Sequence, residues 1–182
     1  MNSSPKLIYN GPRLSSKQVA LAHGAGAGME SPFMEYFADG LASHKIRVAR
    51  FEFPYMAQRK LSGKNKPPDR EPMLRSCWRE VIAHLGNENL VIGGKSMGGR
   101  IASLVADEAG VAGLVCLGYP FHPTGKPDKL RTEHLRKLKT PTLILQGERD
   151  AFGSRAEVAG YQLPPTLEFR WLEDGNHGFK PR

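Results

Sequence analysis

The sequence is poor in cysteine: 182 residues contain two, Cys77 and Cys116, with no metal-ligand spacing between them. Two such thiols build no disulfide framework and are expected to be reduced, as in a cytoplasmic protein. Long apolar runs are also lacking. Stretches such as VAGLVCLGY fall far short of the roughly 20 residues that a membrane helix needs, so no membrane partner is expected. The opening MNSSPKLIYNGPRLSSK has no apolar block of the signal-peptide kind, and no export signal is expected. The six histidines show neither HxH nor HExxH spacing, so no metal is expected. No internal repeat is visible.

What is present is ordinary for a globular chain: 40% hydrophobic and 24% charged residues, of a length that suits a single domain over 1–182. The balance is basic, with a net charge of +8. The basic residues are scattered, with local density in RKLSGKNKPPDR and KLRTEHLRKLK. Neither stretch interleaves aromatic residues on which bases could stack, so no nucleic acid is expected. A solvated surface explains most of this charge. Attraction of anionic substrates is the weaker alternative.

Short apolar runs alternate with helical patterns. VALAH (19–23), IRVARFEFP (46–54), NLVIGG (89–94), VAGLVCLGYP (111–120), PTLILQGE (141–148) and TLEFRWLE (166–173) read as strands. Helices are expected over 31–44, with Ser31 as N-cap and Pro32 at the first helical position, and over 69–86, 97–110 and 154–162. A Pro- and Lys-rich loop is expected from 54 to about 69, and a short helix in the connector after residue 120. Near-continuous apolar strands separated by helices imply a mostly parallel sheet covered on both faces. Ligands of such sheets bind beyond the carboxyl ends of the strands. Four stretches lie there: HGAGAG, GKSMGG, GERDAFG and DGNHGF.

Two phosphate motifs fail on spacing. GGKS needs a glycine five residues before Gly94, and that position is Asn89. HGAGAG places Gly24 and Gly26 in a G-x-G-x-x-G frame whose third glycine falls on Met29, and Glu52 is a poor match to its acidic residue. No cofactor is expected.

GKSMG, by contrast, fits G-x-S-x-G from Gly94 to Gly98, between a strand and a helix. That is the setting of a nucleophile elbow, a sharp turn that lifts a serine hydroxyl clear at a helix N-terminus. A serine needs a base, and the base an orienting carboxylate. On this type of sheet the order is Ser, acid, His. Ser96 is therefore the candidate nucleophile, Asp150 the acid and His177 the base. Glu148 and Asp174 are rival acids, and His122 and His134 rival bases. The intermediate of acyl transfer needs N–H donors for its oxyanion. Met97, which follows the serine, is one candidate. Ala25, in the glycine-rich loop after the first apolar strand, is the other, with Gly26 as fallback. Lys95, with Arg59, Lys60, Lys64 and Lys66, suggests attraction of a negative substrate; Gly26, Lys95 and Tyr119 are further candidates for substrate contact.

HGAGAGMESPFM, FEFPYM, GGKSMGGRIAS, GYPFHPTGKP, PTLILQGERDAFG and EDGNHGFK together resemble an α/β-hydrolase. More narrowly, they resemble the small family of testis-expressed 30-like proteins, to which a domain in subunit 3 of the non-specific-lethal acetyltransferase complex is related. The resemblance implies a three-layer α/β-hydrolase core carrying Ser96, Asp150 and His177. The connection from Pro120 to Leu130 is short where many such proteins insert a lid, which implies an open site and no large cap. The chain ends at Arg182, where the family adds a final helix; sheet surface left bare there could meet a protein partner or a second copy. The function expected is a serine hydrolase of carboxylesterase or thioesterase type acting on a small acyl substrate. A non-catalytic interaction module and a serine peptidase are the alternatives.

Overall fold

The computed structural model describes residues 5–182. Seven strands form one sheet: β1 (Leu7–Asn10), β2 (Gln18–Ala22), β3 (Arg47–Phe51), β4 (Leu90–Lys95), β5 (Gly113–Leu117), β6 (Thr142–Gly147) and β7 (Leu167–Leu172). Their spatial order is β1-β3-β2-β4-β5-β6-β7. β1 is antiparallel to β3, and every other pairing is parallel. Each parallel step needs a crossover. The helices supply most of them: α1 (Pro32–Ser43), α2 (Pro54–Ser62), α3 (Glu71–Leu85), α4 (Met97–Ser103), α5 (Ala106–Ala109) and α6 (Arg155–Ala159).

Side-chain alternation along the strands splits the core. Val19, Leu21 and Val48 point to one face and pack with Met34 and Ala38 of α1. Ala20, Ala22, Leu90 and Ile92 point to the other and pack with Trp78, Val81 and Ile101 of α3 and α4. The arrangement is the three-layer α/β-hydrolase core that the sequence led us to expect.

Three elements differ from the sequence reading. β1 lies in a stretch with no strong apolar alternation and was not expected; it is fixed by pairing with β3. The stretch after Phe53 is helical, because Pro54 is tolerated at the first position of α2, where no N–H is needed. Pro54 therefore starts a helix. The helix expected over 97–110 is two short ones, α4 and α5, separated at Leu104 and Val105. The connector helix is a single 3-10 turn, His134–Lys137. Ser31 and Pro32 occupy the expected positions at the start of α1, although the Ser31 side chain makes no cap hydrogen bond.

Candidate active site

β4 ends at Lys95 and α4 begins at Met97, leaving Ser96 alone at the turn. Its φ of 50° and ψ of −114° are an uncommon conformation for a residue with a Cβ. Such strain costs on the order of 1–3 kcal/mol and persists only where the surroundings enforce it. Here the enforcement is close packing. A Cβ on Gly94 would sit 2.1 Å from the Ala22 carbonyl oxygen, and one on Gly98 would sit 2.5 Å from the same atom. The Ser96 N–H donates to the Leu117 carbonyl at 3.0 Å, tying the turn to the end of β5.

Two loops at the same edge of the sheet deliver the partners. Asp150 follows β6, and His177 follows β7. His177 Nε2 lies 2.9 Å from Ser96 Oγ, and His177 Nδ1 lies 2.7 Å from Asp150 Oδ2. A carboxylate only accepts, so the ring proton belongs on Nδ1, and the Nε2 lone pair faces the serine hydroxyl. The Asp150 side chain is fully buried, while that of His177 is 25% exposed. The Phe152 N–H donates to Asp150 Oδ1 at 2.9 Å, and Gln146 Nε2 donates to Oδ2 at 3.0 Å.

Gln146 was not singled out from the sequence. Its signal was a lone amide in the apolar strand TLILQG. Buried at the end of β6, it also accepts from the Tyr119 N–H at 2.7 Å and reaches the Tyr119 and Gly153 carbonyls at 3.2 and 3.1 Å. It fastens the acid loop to the connection after β5.

Several contacts hold the histidine loop. The Arg149 N–H donates to the Gly175 carbonyl at 2.9 Å, and the Asn176 side chain accepts from the N–H groups of Gly178 and Lys180. The Phe152 and His177 rings lie 4.4 Å apart. Lys95 Nζ donates to the His177 carbonyl and lies 4.8 and 4.9 Å from the centres of the Phe33 and Phe179 rings. Burial pushes the Lys95 ammonium down to about 8, with Asp150 opposing the shift.

The glycine-rich loop after β2 is oriented from behind. His23 Nε2 accepts the Phe53 N–H at 3.1 Å, so its proton sits on Nδ1, which donates to the Gly24 carbonyl at 2.7 Å. Burial lowers the basicity of His23, which favours this neutral form. The Tyr55 hydroxyl lies 3.3 Å from the Gly24 carbonyl and 3.1 Å from that of Ala25. In a trans peptide the N–H points opposite to the C=O. Anchoring these two carbonyls therefore turns the N–H groups of Ala25 and Gly26 away from Tyr55. At the first position of α4, the Met97 N–H has no acceptor within the helix.

Ser96 borders two cavities. One, of about 430 Å³, is largely apolar: Ala25, Gly26, Pro32, Phe33 and Phe152 line it with Lys95 and His177. The other, of about 360 Å³, contains Met97, Arg100 and Arg131. Ala25, Ser96 and Phe152 belong to both.

Not every expected residue meets the site. Tyr119 is fully buried and lines neither cavity; its hydroxyl donates to the Arg131 carbonyl at 2.9 Å. It packs in the core and does not contact a substrate at Ser96, because the chain turns inward after β5. Lys60 is paired with Glu30 and Glu52, and Lys66 lies 3.8 Å from Asp69. Arg59 stacks on the Tyr55 ring at 5.1 Å. Lys95 lines the apolar cavity, but its ammonium is engaged by His177. Lys60 and Lys66 are thus paired with carboxylates, while Arg59 and Lys95 are held by neutral carbonyls and aromatic rings. The rival groups lie elsewhere: His134 Nε2 meets Ser103 Oγ at 2.8 Å, and His122 Nε2 lies 3.4 Å from Glu157. Glu148 pairs with Arg155 at 2.5 Å and Asp174 with Arg149 at 2.6 Å. Among the described residues, no helix is long and apolar enough to cross a membrane.

The sheet order, the strained serine between strand and helix, and the partner loops at the same edge define the α/β-hydrolase class. Residues 15–182 match the family model described as "Alpha/beta hydrolase domain", and the chain belongs to that family. Solved structures share the fold. A lidless α/β serine hydrolase of Xanthomonas campestris superposes with a TM-score of 0.73 at 18% identity, covering 95% of this chain and 80% of that one. The dienelactone hydrolase of Anabaena variabilis gives 0.72 at 21% identity, covering 98% and 90%. Est1E of Butyrivibrio proteoclasticus, solved with ferulic acid bound, gives 0.70 at 15% identity, covering 96% and 88%.

Proposed function

We propose that this protein is a serine hydrolase of carboxylesterase or thioesterase type, acting on small acyl substrates through an acyl-enzyme intermediate. The observation that carries the proposal is the continuous hydrogen-bonded series Ser96–His177–Asp150. Ser96 Oγ attacks the acyl carbon while His177 Nε2 takes its proton. The same proton then passes to the leaving alcohol or thiol. Asp150 keeps the ring in the required tautomer and stabilises the imidazolium. The Met97 and Ala25 N–H groups receive the oxyanion, with Gly26 the alternative to Ala25. Water deprotonated by His177 then releases the acid and restores the serine.

Small substrates fit because the apolar cavity is open along the exposed Ala25–Ala27 loop and the connection after β5 carries a single 3-10 turn, His134–Lys137, rather than an inserted domain. Both cysteines are free, which suits a reducing compartment such as the cytoplasm. The narrower likeness to testis-expressed 30-like proteins rests on the sequence stretches alone.

A fluorophosphonate probe tests the proposal. It is expected to label the wild type and not Ser96→Ala, and the variant is expected to lose esterase turnover by on the order of 10⁴-fold or more. A folded wild type that takes no label would refute it. A panel of short acyl esters, thioesters and aminopeptides separates the ester, thioester and peptide readings.

A further inference from the structure

The second cavity beside Ser96, which holds Asp69, Glu71, Arg100 and Arg131, contains one charge that no group among the described residues answers. Its acids are matched: Asp69 accepts the Tyr55 N–H at 2.8 Å and lies 3.8 Å from Lys66. Glu71 lies 3.2 Å from Arg100 and 4.0 Å from Arg75. Arg131 differs. Its main chain is pinned, the N–H donating to the Phe121 carbonyl at 2.7 Å and the carbonyl accepting the Tyr119 hydroxyl. Among the described residues, its guanidinium forms neither an ion pair nor a hydrogen bond with the rest of the fold. The residue is partly buried, and burial together with the nearby Arg100 charge disfavours the cationic form. A guanidinium held in this way, in a cavity that also contains the nucleophile, is stabilised by an incoming anion.

The chemistry of that anion follows from the lining. A guanidinium presents a planar fork that matches a carboxylate in two parallel hydrogen bonds. A phosphate dianion is less suitable, because Asp69 and Glu71 line the same cavity. The other cavity at Ser96 is largely apolar and takes the uncharged end of the molecule. We propose that Arg131 is a carboxylate-binding residue of the Ser96 site, so that the substrates are esters with one apolar end and one carboxylate end. This rests on the serine-hydrolase reading above.

The test compares matched pairs. Monobenzyl succinate and benzyl 4-methylpentanoate differ only in the carboxylate on the acyl side. 2-Carboxyethyl hexanoate and 3-methylbutyl hexanoate differ in the same way on the alcohol side. In at least one pair, kcat/KM for the anion is expected to exceed that of its neutral partner by tenfold or more. Arg131→Gln is expected to cut that ratio at least tenfold, and Arg131→Lys to retain part of it. Lys129→Gln removes the same charge from an exposed residue outside the cavity and is expected to keep the ratio.

Ratios at or below one in both pairs, or a preference that survives in Arg131→Gln, would overturn the subsite while leaving a labelled, active hydrolase. If no ester is turned over, Ser96→Ala still reports binding by calorimetry. Monobenzyl succinate or 2-carboxyethyl hexanoate bound through Arg131 supports the subsite, and neither bound overturns it. Failure of fluorophosphonate labelling separately marks failure of the hydrolase reading.

Discussion

Replacing Lys95 with methionine separates stability from function. In the unfolded chain this amine keeps its proton up to its ordinary 10.5, but in the folded protein only up to about 8. At about 1.36 kcal/mol per pH unit, the charged form carries a penalty of about 3 kcal/mol in the native state. Between those two values the unfolded chain binds more protons, so stability rises with pH there; below about 8 the penalty is fully present.

Methionine removes the penalty and keeps the apolar stem between Phe33 and Phe179. It loses the charge-assisted hydrogen bond to the His177 carbonyl, worth about 1.5–3 kcal/mol, and two cation–π contacts of about 0.5–1 kcal/mol each. Lys95→Met is therefore expected to lie between the wild-type stability and about 2 kcal/mol below it at neutral pH by urea unfolding. The wild type should then gain on the variant by about 3 kcal/mol between pH 8 and 10.5. Activity should move independently. With its carbonyl anchor gone, the His177 loop loses register with Ser96, and kcat with a short-chain ester is expected to fall at least tenfold. A stability difference that stays flat across this pH range, or an unchanged kcat, would refute the reasoning.

Two further substitutions probe the supports of the site. Gln146→Leu removes a donor to the Asp150 carboxylate and strands the buried Tyr119 N–H. An unfolding loss of about 2–4 kcal/mol and a large drop in kcat are expected, read by denaturant titration and ester kinetics. Tyr55→Phe removes the hydroxyl that holds the Gly24 and Ala25 carbonyls; kcat should fall about tenfold with KM little changed, since the loop's N–H groups are proposed to act on the transition state.

The sequence by itself carried the parts of this protein that depend on neighbouring residues. Strand, turn and helix at GKSMG are a local arrangement, and only glycines at 94 and 98 let the backbone pass Ala22 so closely. Alternating apolar strands and helices carried the layered parallel sheet, because side-chain period follows directly from backbone geometry. Asp150 and His177 were legible because parallel strands deliver their following loops to a common edge. β1 was not legible, since its order comes from β3 rather than from its own composition.

Only the tertiary structure decided how charges and amides are shared. Ser96 and His177 are 81 positions apart, and their 2.9 Å approach depends on packing across the whole sheet. Lys60 looked free in the chain and is answered by Glu30 and Glu52; Arg131, not singled out from the sequence, has no counter-ion among the described residues. Tyr119 looked placed for substrate and is core. Pairing and burial are properties of three-dimensional neighbours, which sequence spacing does not specify.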